Sequence, residues 1–214
     1  MALTKTVWRI PLLISNTSTR RSFLLCAAAT AGVAAVPTAS FALTTAGAEK
    51  LINRLTDDIF TVINSGKTGA PLYREFNRIF NRYAAVSAIA RTTLGPPWRS
   101  ASPAQQKAYV NAFGGYLSRK YGKRFREFIG AEIQVVSAKS VKRGVLVKSN
   151  VKLKGKSPFT VEWQVFDRGN NPQMFDLYIE GISMIKSERE EIGTLFDRSG
   201  GKMDKFIERL KAAG

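Results

Sequence analysis

"FTVEWQVFDRGNNPQMFDLYIEGISM", residues 159–184, sets the fold class, because it carries a period of two after a long helical stretch. Phe159, Val161, Trp163 and Val165 alternate with Thr160, Glu162, Gln164 and Phe166; Phe175, Leu177 and Ile179 alternate with Asp176, Tyr178 and Glu180. Residues two apart share one face of a strand, so each segment predicts an apolar face and a mainly polar one. "RGNNP" between them supplies turn chemistry through glycine, asparagine and proline. Upstream, "EIQVVSA" (132–138) and "GVLVKSNVKLKG" (144–155) repeat the alternation, punctuated by "KSVKRG" and "KSP". Consecutive strands joined by short turns predict an antiparallel sheet with one face covered.

Working outward, the flanks have a period near 3.6. Leu51, Leu55, Ile59, Val62 and Ile63 mark a helix from Ala46 to Asn64, which "NSGKTGAP" ends. Phe76, Ile79, Phe80 and Tyr83 mark a second over 72–83, and a third over 86–94 stops at Gly95, where Pro96 and Pro97 forbid continuation. The next helix has an explicit start: Ser102 as N-cap, Pro103 at the first position and Gln105 completing a capping box. From there Tyr109, Phe113, Tyr116, Leu117, Tyr121, Phe125 and Phe128 form an aromatic stripe. Gly114 and Gly115 interrupt it, each at about 1 kcal/mol relative to alanine, which implies either close backbone packing or a bend. After Gly181, Ile185, Ile192, Leu195 and Phe196 return to helical spacing; "RSGGK" breaks it, and Met203, Phe206, Ile207 and Leu210 follow. The expected class is α+β: a twisted antiparallel sheet of about four strands wrapped on one face by helices. Its parts are helical 46–129, strands 132–184 and a helical tail 185–212.

The first 42 residues read differently. Arg20 and Arg21 precede an apolar run from Phe23 to Val36, and the small residues Ser40 and Ala42 suit a peptidase cut. This pattern predicts a cleaved export signal over 1–42 and a single domain over 43–214. The run is shorter than the roughly 20 apolar residues that cross a bilayer. "TRRSFLL" resembles the twin-arginine signal, with Leu25 in place of its usual lysine. Leu25 also stands where a lipoprotein anchor at Cys26 wants a small residue.

The chain has 33 Lys and Arg against 16 Asp and Glu, no histidine and one cysteine, Cys26. Residues 43–214 therefore contain neither thiol nor imidazole. Disulfides, His or Cys zinc sites and His-activated nucleophiles are excluded from that part, and no metal or cofactor is expected. Four basic residues and no acid lie before residue 43, leaving 29 basic and 16 acidic residues, a surplus of +13. Such a surplus suits anionic surroundings. "RKYGKRFR" (119–126) has the look of a nucleic-acid contact, but an exported protein meets anionic headgroups instead, and no nucleic-acid partner is expected.

"LGPPWRSASPAQQKAYVNAF…RKY", "IEGISM" followed by Arg189, and the closing "GGKMDKFIERL" together resemble the MlaC family, periplasmic lipid-binding auxiliary proteins of ABC transporters also described as toluene-tolerance proteins. Leu94, Gly95, Trp98 and Arg99 match its helix-corner motif, Phe113 and Tyr121 its aromatic positions, and Glu180, Gly181, Ser183 and Arg189 the motif after the sheet. The chain departs from the pattern at Ala84, Ala85, Val86, Pro97 and Glu188. The resemblance implies a monomeric periplasmic carrier with an apolar pocket for phospholipid acyl chains. Its implied partners are an outer-membrane lipoprotein complex and an inner-membrane ABC transporter complex.

A carrier must enclose its cargo, since exposing about 30 methylenes at roughly 0.8 kcal/mol each costs on the order of 20 kcal/mol. Leu94, Trp98, Tyr109, Phe113, Tyr121, Val147, Val151, Phe159, Val161, Trp163, Phe175, Leu177 and Ile179 are the candidate walls, with the aromatic stripe expected to face the sheet and Trp98 to close one end. Arg99, Lys120 and Arg189 are candidates for a headgroup or partner contact. A polycyclic lipid such as a hopanoid is an alternative cargo. An enzyme is the remaining alternative, with Asp176 and Glu180 as its carboxylates. Four residues along a strand separate them by about 13 Å, beyond the roughly 5 to 9.5 Å of paired-carboxylate hydrolases, so no catalysis is expected.

Overall fold

The computed structural model describes residues 43–167 and 169–214. The leader read over 1–42 lies outside the described residues. The chain runs through α1 (Thr45–Asn64), α2 (Gly69–Tyr83), α3 (Val86–Leu94), a one-turn α4 (Pro97–Ser100) and α5 (Pro103–Gly122), then a 3₁₀ turn (Phe125–Phe128). Strands β1 (Glu132–Val141), β2 (Gly144–Lys152), β3 (Phe159–Asp167), β4 (Pro172–Ile179) and β5 (Ile182–Ser183) follow, then α6 (Met184–Asp197) and α7 (Met203–Ala212). The start of α5 is as the sequence dictates: the Ser102 hydroxyl accepts from the Gln105 N–H at 3.2 Å, and the Gln105 side chain accepts from the Ser102 N–H at 3.0 Å.

The sheet is an open antiparallel meander in the order β1-β2-β3-β4-β5. Directly paired residues share a face, so the register traces apolar rows across it. Val147, Trp163 and Leu177 form one row; Val135, Ser149, Val161, Ile179 and Ile182 form the next. The hydroxyl of Ser149 is buried among them and accepts from Trp163 Nε1 at 3.0 Å, so the row loses no hydrogen bond. Helix α1 lies against β1, β2 and β4 and buries Ile52, Leu55 and Ile59.

Two sequence expectations are corrected here. The fourth strand candidate divides into β4 and β5, because Glu180 and Gly181 turn the chain with φ 50° and 79°. Left-handed values at both central residues make a two-residue hairpin whose twist matches its strands. Glu180 holds that conformation without a glycine's freedom while its carboxylate accepts from the N–H and hydroxyl of Thr160 on β3. The aromatic stripe also ends early as a helix. α5 stops at Gly122, and Phe128 belongs to the 3₁₀ turn.

The second half of the core is helical. α5 packs on α2, α3 and α7. Of the two readings of Gly114, close packing is the one realised: a Cβ there would stand 2.9 Å from Asn77 Oδ1 on α2. Arg119 reaches the end of α7, donating from Nε to the Ala213 carbonyl at 2.8 Å and from its terminal nitrogen to the Leu210 carbonyl at 2.9 Å. Those carbonyls have no partner within their own helix, and a cation is favoured there. Sheet-side and helix-side residues join in one continuous apolar core from Ala48 to Leu210.

Candidate functional site

Burial along the α1-facing side of the sheet is uneven. Val147, Val151, Val161 and Trp163 are buried, Phe159 and Leu177 are half-buried, Ile179 is 45% exposed and Ile182 66%. The register places Phe159, Ile179 and Ile182 at the same end, where β2 and β4 finish and β3 and β5 begin. The sheet thus offers a continuous apolar wall, closed at one end and open at the β3–β4–β5 corner. Ile182 escaped the sequence reading because the strand was carried through Glu180 and Gly181; an apolar residue directly after a glycine was the available signal.

Phe175 does not join this wall. The β3–β4 register shifts between Gln164 and Val165, so Phe175 is the extra residue of a bulge. Its ring lies edge-on to Phe166, at 4.9 Å between centroids, and Phe166 pairs with Gln173 beside the polar row of Gln164. The alternation read across Phe175, Leu177 and Ile179 is broken by the backbone.

The helix-corner residues form a different structure. Leu94 is buried at the end of α3, and Trp98 is half-buried on α4, its ring edge-on to Tyr109 at 6.3 Å. Tyr109 and Phe113 are fully buried, and Tyr109 stacks with Phe206 of α7 at 5.6 Å. The stripe expected to face the sheet across a cavity therefore packs helix against helix, since α7 brings Phe206 onto it. Gly95 has φ 68° and ψ −135°, and a Cβ there would stand 3.2 Å from a terminal nitrogen of Arg189. The glycine makes room for the guanidinium beside the C-terminal end of α3, where positive charge is favoured. Arg99 is exposed on α4.

Lys120 and Tyr121 enter a buried polar cluster between α5 and α6. Glu188 is fully buried; its Oε1 accepts from Lys120 Nζ at 2.7 Å and from Tyr121 at 2.6 Å, and its Oε2 meets the Tyr116 hydroxyl at 3.1 Å. Glu191 gives Lys120 a second carboxylate. Burial pushes the Tyr116 and Tyr121 hydroxyls up, and the nearby glutamates push them further. Burial opposes the charge on Lys120, but its two carboxylates outweigh this and hold the ammonium above its ordinary value. Partial desolvation works against the charge of exposed Glu191, but Lys120 outweighs it and holds the carboxyl low. Lys120, a candidate headgroup or partner contact, has its charge matched inside the fold by two residues of α6 that lie some seventy positions away.

The residues after the sheet anchor α6. Asp176 is buried; its Oδ1 accepts from the Leu177 N–H at 2.8 Å and the Ile185 N–H at 3.0 Å, and its Oδ2 accepts from the Ser183 hydroxyl at 2.6 Å. Ser183 in turn caps α6, accepting from the Lys186 N–H at 3.1 Å. Glu180 is clasped to Thr160. Asp176 and Glu180 are thus both committed to backbone and hydroxyl donors. Among the described residues no cluster of His, Cys, Asp and Glu suits a metal ion, and no helix is long and apolar enough to cross a membrane.

Residues 53–212 match the family described as MlaC protein. Among solved structures, the chain shares its fold with a phospholipid-binding protein from Ralstonia solanacearum, solved in complex with a phospholipid. The TM-score is 0.61 at 18% identity, over 77% of this chain and 95% of that one. The ordered motifs, the open five-strand sheet and a family match across most of its length give one result: the chain belongs to the MlaC family.

Proposed function

We propose that the protein is a periplasmic phospholipid carrier that holds acyl chains against the α1-facing side of the sheet. The observation that carries this reading is the apolar wall that stays open at the β3–β4–β5 corner. A finished core has no need of exposed Ile179 and Ile182 beside half-buried Phe159 and Leu177, whereas a carrier needs apolar surface that cargo can reach. Val147, Val151, Val161 and Trp163 form the deeper wall. Membership of the MlaC family and a fold shared with a protein solved with phospholipid support the same cargo. Leu94, Tyr109 and Phe113 serve as scaffold, and the protein binds and releases lipid without altering it.

The carrier shuttles lipid between an outer-membrane lipoprotein complex and an inner-membrane ABC transporter complex, acting as a monomer after its leader over 1–42 is removed. Exposed Arg99, outside the apolar wall, is available to such a partner. The deciding test is native mass spectrometry of protein purified without detergent, with the added mass identified after organic extraction. One phospholipid per chain is the expected result. A polycyclic lipid changes the cargo and keeps the carrier; a bare mass that survives incubation with liposomes overturns the proposal.

A further inference from the structure

We propose that the open corner of the sheet is also a docking surface for anionic lipid bilayers. This rests on the carrier reading and adds the surface through which the cargo passes. Ile182 stands 66% exposed beside Ile179 in the β4–β5 hairpin, and Phe159 begins the neighbouring strand at the same end. Basic residues lie at this end of the sheet: Lys154 is in the turn leading to Phe159, Lys186 occupies the first turn of α6 directly after β5, and Lys152 ends β2 on the opposite face, paired with Glu132. All three are exposed.

The one acid in the hairpin turn, Glu180, folds back onto β3, where the Thr160 N–H and hydroxyl receive it, so no free carboxylate projects from the tip. Apolar side chains flanked by lysines suit the boundary between headgroups and acyl chains, with the rings and branches inserted and the ammonium groups among the phosphates. The surplus of +13 over residues 43–214 complements such a surface. The placement is also economical for transfer. A chain leaving the bilayer at this corner meets exposed Ile182 and Ile179 first and half-buried Leu177 in the adjacent row.

Flotation with vesicles of phosphatidylcholine, with and without phosphatidylglycerol, tests the proposal at low and physiological salt. The protein is expected to float with the anionic vesicles and to do so less at the higher salt. Ile182→Asp is expected to weaken that binding about tenfold or more, a change equivalent to about 1.4 kcal/mol. The double variant Lys154→Glu/Lys186→Glu is expected to remove the preference for anionic vesicles. Unchanged thermal midpoints establish that either variant is folded, and bound phospholipid is measured separately by extraction. Wild-type protein that carries lipid but ignores anionic vesicles overturns the docking surface and leaves the carrier intact. Vesicle binding unaffected by Ile182→Asp overturns it as well. Protein without extractable lipid defeats the carrier reading itself.

Discussion

The two halves of the core treat apolar surface in opposite ways. Around α5, Tyr109, Phe113 and Phe206 are fully buried and stack in a chain of rings with Phe196. At the β3–β4–β5 corner, apolar residues of the same register rows run out into solvent. Under the proposed carrier function, the difference separates stability from lipid binding. The helical half is covered by the chain's own residues throughout, whereas the sheet half leaves its corner at Ile179 and Ile182 uncovered.

The sharpest way to break this comparison is to open the closed half. Phe113→Ala is expected to cost about 3–5 kcal/mol, read from urea unfolding, because a buried ring leaves a cavity that rigid helices fill poorly. Bound phospholipid per folded molecule is expected to stay the same. The second largest effect should come from the open half with the readouts reversed. Leu177→Ala is expected to cost about 1–2 kcal/mol, since the side chain is only half-buried, while lipid retention falls severalfold. If Phe113→Ala empties the protein of lipid as fully as Leu177→Ala, the two halves are not independent.

The smallest effect expected is in pH. Hydrogen bonds from Thr160 hold Glu180 below its ordinary value of 4.5, so its contribution is complete above that value and fades as pH falls through the lower, folded one. Glu191 behaves in the same direction through Lys120. Lys120 is raised above 10.5, so its contribution is complete below that value and is lost as pH rises through the folded one. Thermal midpoints should therefore form a plateau between the two flanks, and Glu180→Gln should soften the acid side. A single acid flank identical in wild type and variant would remove Glu180 from the account.

The elements themselves were legible because local sequence dictates them. Period-two alternation located the strands, and Ser102, Pro103 and Gln105 located the start of α5. What the elements meet was less so. An aromatic stripe at helical spacing says that one face of α5 is apolar, but its partner Phe206 lies ninety-odd residues further on, and the stripe was assigned to the sheet instead. Lys120 looked like a surface charge because nothing near it in the chain reveals Glu188 and Glu191. Phe175 looked like a wall residue because a bulge is a property of strand pairing, and alternation in one strand contains no trace of it. The β4–β5 turn was missed for a simpler reason: glutamate at its first central position lacks the turn signature of asparagine or glycine.

The meander also sets an order of assembly. Every strand pairs with its neighbour in the chain, so the sheet can form from local encounters and closes few long loops. The docking of α7 on α5 has no such freedom. Phe206 must find Tyr109, and Arg119 must find the carbonyls of Leu210 and Ala213, across ninety or more intervening residues. The last helix of the chain is thus the bolt of the fold: a chain shortened before α7 would keep its hairpins and lose the ring stack that locks α5 in place.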